Sequence, residues 1–169
     1  MSFQGKSKRI FFILWIFVSA CGYRFAGSGN LPAGVNSVFI KVFENRSSET
    51  GLENIFTDDL IYEFVRKKKA ADIKSADSFL SGVIRSVSSG TISHKGESTS
   101  LEQRVMVTVD IVLKDLNGKI SWAANGIAAN ETYDVVSDKT VTEKNRRDAV
   151  SEASEKLAEN IYFRLTEDF

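Results

Sequence analysis

The stretch that decides the fold is Arg104-Val105-Met106-Val107-Thr108-Val109-Asp110-Ile111-Val112-Leu113-Lys114. Alternate positions are all aliphatic, and they comprise Val105, Val107, Val109, Ile111 and Leu113. The positions between them are mostly polar, with Met106 and Val112 among Arg104, Thr108, Asp110 and Lys114. Successive side chains of a strand point to opposite faces, so this alternation predicts a strand with one face in the core.

A hairpin partner is predicted directly after this strand. Asp115 to Lys119 contains the Asn-Gly pair typical of tight hairpin turns. The following strand is predicted from about Ile120 to Tyr133, with Trp122 near its start. Five small residues along it would let another element approach closely: Ala123, Ala124, Gly126, Ala128 and Ala129.

Two further strands are predicted earlier in the chain. Ser37 to Phe43 is apolar on both alternating faces, which predicts a well-buried strand with Val38, Ile40 and Val42 on one face. A more weakly alternating strand is predicted for Ser78 to Val87, and Gly90 to Ser100 is predicted to be a polar loop.

Two amphipathic helices complete the pattern. Thr50-Gly51-Leu52-Glu53 and Thr140-Val141-Thr142-Glu143 both match the capping box that opens helices. The first helix is predicted to reach about Lys68. The second is predicted to reach about Leu165, with an apolar stripe of Val150, Ala153, Leu157, Ile161 and Leu165.

The predicted element order is β-α-β-β-β-α. It favours an α+β two-layer sandwich, in which two helices cover one face of a four-stranded, mixed but mainly antiparallel sheet. The first helix is expected to join two parallel strands by a right-handed crossover. Residues 37–169 are predicted to form this one domain.

The start of the chain has the pattern of a secretory signal peptide. Basic residues precede an unbroken apolar run of nine residues, Ile10 to Val18, which is shorter than the roughly 20 residues of a membrane-spanning helix. Ser19 and Ala20 then supply the small residues of a cleavage site, and Cys21 is the only cysteine in the chain. Residues 1–20 are therefore predicted to be a signal peptide.

The four residues Val18-Ser19-Ala20-Cys21 resemble the bacterial lipobox, with valine where leucine is usual. That resemblance implies cleavage before Cys21, a lipid on its thiol and acylation of the new amino terminus. Gly22 follows in place of the aspartate that favours inner-membrane retention, which implies the periplasmic face of the outer membrane. The alternative is an ordinary signal peptide or an uncleaved anchor. Residues 21–36 are predicted to be a glycine-rich tether interrupted by Pro32.

Charge and composition exclude several classes of function. Residues 1–20 hold three of the 22 basic residues and none of the 22 acidic ones, so the chain from Cys21 carries a formal charge of −3. That charge argues against nucleic-acid binding. His94 is the only histidine, and no HExxH, CxxC, GxSxG or P-loop pattern accompanies it. The sequence therefore predicts no enzyme, no metal site and no cofactor.

Several segments in their order resemble the LptE family of lipopolysaccharide-assembly lipoproteins. They are Cys21-Gly22-Tyr23-Arg24-Phe25, Leu31-Pro32-Ala33-Gly34-Val35, Val42-Phe43-Glu44-Asn45-Arg46 and Thr50-Gly51-Leu52-Glu53, followed by the strand from Arg104 and the C-terminal helix. The resemblance implies a protein that plugs the outer-membrane β-barrel LptD in a one-to-one complex, assists its assembly and binds lipopolysaccharide.

The resemblance also implies where lipopolysaccharide binds. Basic residues in the loop before the long strand and in the loop before the last helix are implicated in the family. In this chain those loops offer His94, Lys95, Lys139 and Lys144. Ordinary surface lysines remain the alternative for these positions. At the level of function, the alternatives are a pilotin of a secretion pore and an auxiliary lipoprotein of a lipid ABC transporter.

Overall fold

Three long antiparallel strands form the centre of the sheet. The computed structural model describes residues 30–32, 34–94 and 101–167 of the chain. The elements are β1 (Val38–Ile40), β2 (Glu44–Asn45), α1 (Leu52–Arg66), β3 (Ser78–His94), β4 (Leu101–Asp115), β5 (Ile120–Val135) and α2 (Lys139–Glu167). The sheet order is β1-β3-β4-β5, and β2 also pairs with β3. The predicted α+β fold with a mixed sheet is confirmed, with five strands in place of four.

The decisive strand, β4, has the predicted faces. All five aliphatic residues of its inner face are buried, at 2% exposure or less. Both helices pack in the same core, α1 through residues such as Phe56 and Leu60 and α2 through its predicted stripe, all of it buried. Burial of this much aliphatic and aromatic surface is the main force that holds the layers together.

The first predicted strand is interrupted, and the prediction for its second half was wrong. β1 ends at Ile40, and Val42 is 66% exposed although it was predicted to share a face with Val38. Phe43 instead turns into the core, where its ring meets that of Phe56 edge-on at 4.9 Å. The break arises because Phe43 lies over Gly82 of β3, and no other residue type at that position would leave room for the ring.

Neither predicted capping box forms. Gly51, with φ 89°, is the residue before α1 and makes no side-chain cap bond. The carboxylate of Glu53 accepts a hydrogen bond from the Asn45 amide at 2.7 Å, which is the largest cause of its lowered pKa. At α2, Asp138 accepts the bonds from the backbone N–H groups of Thr140 and Val141, at 2.8 and 3.3 Å. The contact of Glu53 with Asn45 and the cap from Asp138 therefore replace the two capping boxes that the sequence predicts.

Replacing Asp138 with alanine should remove the cap of α2 and lower the free energy of unfolding by about 1 kcal/mol. Thr140→Ala is the matched control, because its hydroxyl caps nothing and a smaller change is expected. Urea unfolding of both variants measures the difference. Equal losses in the two variants would contradict Asp138 as the cap.

Strand β3 is longer than predicted. The segment Gly90 to His94 was predicted to be loop but pairs with β4, with Gly90 opposite Arg104 and His94 opposite Leu101. Its polar, glycine-containing sequence carries no strand signal of its own. The well-defined strand pattern of β4 supplies the partner that keeps it extended.

The strand register defines two opposite edges of the sheet, at which the strands begin or end. We call the edge where β1 and β3 begin and β4 ends the entry end. There Val38 lies beside Ser78, and Ser78 lies beside Asp115. The N–H of Val38 also donates to the carbonyl of Lys69 at 2.8 Å. We call the opposite edge, where β3 and β5 end and β4 begins, the distal end. The two helices run side by side in the same direction, since Arg146 binds Glu49 near their starts and Phe64 meets Tyr162 near their ends.

The N-terminal chain joins the sheet at the entry end. The backbone N–H groups of Asn36 and Ser37 donate to the Asp77 carboxylate at 2.9 and 3.2 Å, just before β3. Leu31 and Val35 are buried in the core. The packed part of the chain therefore begins by Leu31, inside the segment predicted to be tether. No helix in the described ranges is long and apolar enough to cross a membrane.

Candidate functional site

The distal end brings together the two regions that the sequence predicted to bind lipopolysaccharide. His94 of β3 is paired with Leu101 of β4, and Leu101 with Val135 of β5. Neighbouring strands lie about 4.8 Å apart, so His94 is roughly 10 Å from Val135. Helix α2 begins at Lys139, four residues later. The sheet register, which the sequence did not reveal, is what makes these distant segments neighbours.

The connection between β5 and α2 is fixed by side chains of the helix. The Thr142 hydroxyl donates to the carbonyl of Val136 at 3.1 Å and accepts from its N–H at 3.0 Å. The Asn145 amide donates to the carbonyl of Asp134 at 3.0 Å. With the Asp138 cap, these bonds hold the first two turns of α2 against the end of the sheet, so that Lys139 has a defined position.

The predicted binding residues differ in how available their charges are. Lys139 is exposed as the first residue of α2 and has no ion pair in the described part of the chain. Lys144 is exposed one turn later but pairs with Asp148 at 2.5 Å. His94 is the last residue of β3, and Lys95 and Cys21 lie outside the described residues. Lys139 is therefore the more available cation of the two on α2.

Two exposed arginines were not among the predicted site residues. Arg104 projects from the outer face of β4, three residues from the distal end and opposite Gly90 and Thr132. Arg147 is exposed on α2, eight residues after Lys139. Arg104 was visible in the sequence as a polar position of the alternating strand, but its neighbours on β3 and β5 were not.

Other charges near α2 are used structurally. Arg146 donates two hydrogen bonds to Glu49, at 2.7 and 3.0 Å, and a third to Glu143 at 3.1 Å. The hydrogen bonds to Glu49 are the main reason why the pKa of the Arg146 guanidinium is raised. This arginine ties the loop before α1 to α2 and has little capacity left for a ligand. Carboxylates of Glu102 and Asp134 also lie at this end, so an anion site here must be local.

The outer face of the sheet, away from the helices, is crossed by one charged network. The Asp110 carboxylate accepts hydrogen bonds from the Gly126 N–H at 2.9 Å and from Arg85 at 2.5 Å. The bond from Gly126 is the largest cause of the lowered pKa of Asp110, followed by the bond from Arg85. Gly126 has φ 67° at an irregularity of β5. The network therefore pins the register of three strands.

The same outer face carries an aromatic pair close to the entry end. The rings of Phe39 and Phe79 meet edge-on at 6.2 Å, and the Lys41 ammonium lies 4.8 Å from the centre of the Phe79 ring. Farther along, the face has small side chains such as Ser88, Thr108 and Ala128. It is a flat surface, without a group of titratable residues arranged for catalysis.

Among the described residues no group of histidine, cysteine and carboxylate side chains could hold a metal ion. Among the side chains that the structure describes, no serine, threonine or cysteine is hydrogen-bonded to a histidine.

Comparison with solved structures places this sandwich among those of bacterial lipoproteins. It resembles the solution structure of lipoprotein B from Nitrosomonas europaea, with 11% identity, coverage of 86% of this chain and 89% of that one, and a TM-score of 0.54. The rare lipoprotein B from Shewanella oneidensis has 17% identity, with 75% of this chain and 94% of that one covered, and a TM-score of 0.47. At 11% identity, the likeness to the Nitrosomonas europaea structure shows the fold alone.

The family is shown by sequence. The profile described as "LptE: Lipopolysaccharide-assembly" matches residues 35–165, which is most of the chain and nearly all of the folded part. The chain belongs to the LptE family. That family is one of non-catalytic lipoproteins, which agrees with the prediction of no enzyme. No curated protein sequence matched the chain.

Proposed function

We propose that this protein is an outer-membrane lipoprotein that plugs and helps to assemble an LptD-type β-barrel and binds lipopolysaccharide during its transport to the cell surface. The observation that carries the proposal is the family match over residues 35–165, joined to the lipobox-like Val18 to Cys21 just before it. A membrane-anchored binding domain without catalytic groups is what such a task requires.

The anchor proposed at Cys21 sets how far the domain can lie from the membrane. One acyl chain gives only marginal membrane binding, whereas a diacylated thiol with an acylated amino terminus would hold the protein stably. Nine residues lie between Cys21 and Leu31, which is the first buried residue of the described chain. Fully extended, the chain from Cys21 to Leu31 spans at most about 35 Å. The domain is thus confined to the membrane surface or the lumen of a barrel beside it.

The chemistry of lipid A supports a ligand site at the distal end. Its phosphates need cations, and phosphate bonds to lysine or arginine are charge-assisted and therefore stronger than neutral ones. Lys139 is exposed at the first residue of α2 without an ion pair in the described ranges. We assign Lys139, with Lys95 and His94 from the β3–β4 connection, as the first contacts for the phosphates.

Copurification tests the partner. The lipid-bearing protein is extracted in mild detergent, captured, and its companions are identified by mass spectrometry. One large β-barrel in equal molar amount is the expected result. A secretin ring in place of the barrel would make the protein a pilotin, and an inner-membrane ATPase would make it a transporter subunit; either result would refute the LptD-type partner.

Charge reversal tests the ligand site. Lys95→Glu with Lys139→Glu should weaken lipopolysaccharide binding by about a hundredfold or more, since each lost charged contact costs about 1.5–3 kcal/mol. Lys144→Glu should have a smaller effect because Asp148 already engages Lys144. Binding is measured by retention of labelled lipopolysaccharide on immobilised protein.

The matched control for this experiment is the pair Lys41→Glu and Arg164→Glu, which makes the same charge change at two exposed residues away from the distal end. The control should bind lipopolysaccharide as well as the unsubstituted protein. Equal binding by the control and the Lys95/Lys139 variant would exclude the distal end as the site.

A further inference from the structure

The entry end carries a concentration of lysines that the net charge of the chain conceals. The last turn of α1, the loop before β3 and the β4–β5 turn all meet there, because Val38 is bonded to Lys69 on one side and lies beside Ser78 on the other. Six lysines belong to this end: Lys67, Lys68, Lys69, Lys74, Lys114 and Lys119.

None of these six lysines forms an ion pair within the described ranges. Every ion pair of those ranges belongs to other residues, chiefly on α1, α2 and the outer face. The nearby carboxylates are largely occupied by the backbone. Asp77 accepts from Asn36 and Ser37, and Asp115 accepts from the N–H groups of Asn117 and Lys119, both at 2.9 Å. Asp72 is exposed in the loop before β3, and the Lys67 ammonium lies 5.8 Å from the centre of the Tyr162 ring. Six lysines against Asp72, Asp77 and Asp115 leave this end with a net positive charge.

Large aliphatic side chains stand exposed among these lysines. Ile73, Leu116 and Ile120 are 59%, 62% and 56% exposed. Leu116 lies in the β4–β5 turn between Lys114 and Lys119, and Ile73 precedes Lys74. Water-exposed aliphatic residues interleaved with lysines have the composition of surfaces that lie in the boundary between lipid headgroups and acyl chains. The long lysine stems let the charges reach the headgroups while the aliphatic tips enter the boundary.

We infer that the entry end is a membrane-docking surface, which rests on an anionic phospholipid leaflet. It is also the end at which the N-terminal chain joins the sheet, through the bonds of Asn36 and Ser37 to Asp77. The inference rests on the proposed function, because a lipid on Cys21 would hold the entry end close to the membrane. The distal end, with Lys139, then points away from that leaflet.

Site-directed spin labelling of the lipid-bearing full chain tests this orientation. Its one cysteine, Cys21, would be blocked by lipid, so an introduced cysteine takes the label alone. Leu116→Cys reports on the entry end and Ser137→Cys on the distal end. In vesicles of phosphatidylethanolamine with phosphatidylglycerol, the label at 116 should show a several-fold higher ratio of collisions with oxygen to collisions with a water-soluble nickel complex than the label at 137.

Charge variants give the control. Lys114→Glu with Lys119→Glu, added to the 116 label, should reduce the ratio toward that of the 137 label. Arg104→Glu with Arg147→Glu, the same charge change outside the entry end, should leave it unchanged. Equal water exposure of the two labels on protein that floats with the vesicles would overturn the orientation alone. Protein that does not float would overturn the anchor, and the docking with it.

Discussion

Gly82→Ala is expected to lower the free energy of unfolding by about 3 kcal/mol, at the upper end of the cost of overfilling a packed core. A Cβ at this position would lie 2.2 Å from the Asp110 carbonyl oxygen and 2.5 Å from Cε1 of the Phe43 ring. The carbonyl belongs to the central strand and cannot retreat without breaking the sheet. The ring is held in turn by Phe56. Neither neighbour can give way cheaply.

Gly90→Ala is the matched control on the same strand. An added Cβ at Gly90 meets nothing within 4 Å, and the backbone there is not left-handed. The change in stability should stay within about 0.5 kcal/mol. Urea unfolding followed by fluorescence of Trp122, the only tryptophan after Cys21, measures both variants. If the two alanine variants proved equally stable, Phe43 could not be packed over Gly82 as described.

Phe56→Ala should cost about 4 kcal/mol, within the range for removing a buried phenylalanine. Phe56 is fully buried on α1 and packs edge-on against Phe43. Its loss would leave a cavity between the helix layer and the sheet, and it would release the segment that joins β1 to β2. A variant this unstable should unfold at markedly lower urea concentration, with an unchanged slope of the transition.

Ile55→Ala is the control, because Ile55 is the neighbour of Phe56 on the same helix but is 42% exposed. Its cost should stay below about 1 kcal/mol. Comparable losses at the two positions would mean that α1 presents a different face to the sheet from the one described.

The parts of the fold that the sequence predicted are those governed by local pattern. Strand β4, the Asn-Gly turn and the stripe of α2 each follow from residues close together in the chain, and each was confirmed. The interruption after β1 depends on Gly82, which is far from Phe43 in sequence. No periodicity within Ser37 to Phe43 reveals it. The length of β3 similarly depended on its partner and not on its own residues.

The residues of the candidate site were likewise predictable from the sequence, whereas their spatial arrangement was not. The family resemblance supplied Lys139 and Lys144 as candidates, and the pairing of Lys144 with Asp148 one helical turn away could have been predicted from spacing alone. The nearness of His94 to the start of α2 became known only from the sheet register. Arg104 was assigned to the correct face of its strand, but its neighbours on β3 and β5 became known only from the pairing.

The sheet order β1-β3-β4-β5 also has a consequence for the timing of folding. Strands β3, β4 and β5 follow one another through short connections, so their pairing closes small loops and can form early. Strand β1 pairs in parallel with β3, with Val38 opposite Ser78, and must wait until that later part of the chain is in place. The chain that leads into β1, with Cys21 upstream of it, is thus the last part to be tied down. A protein exported N-terminus first would keep that cysteine accessible to processing enzymes while the rest of the domain folds behind it.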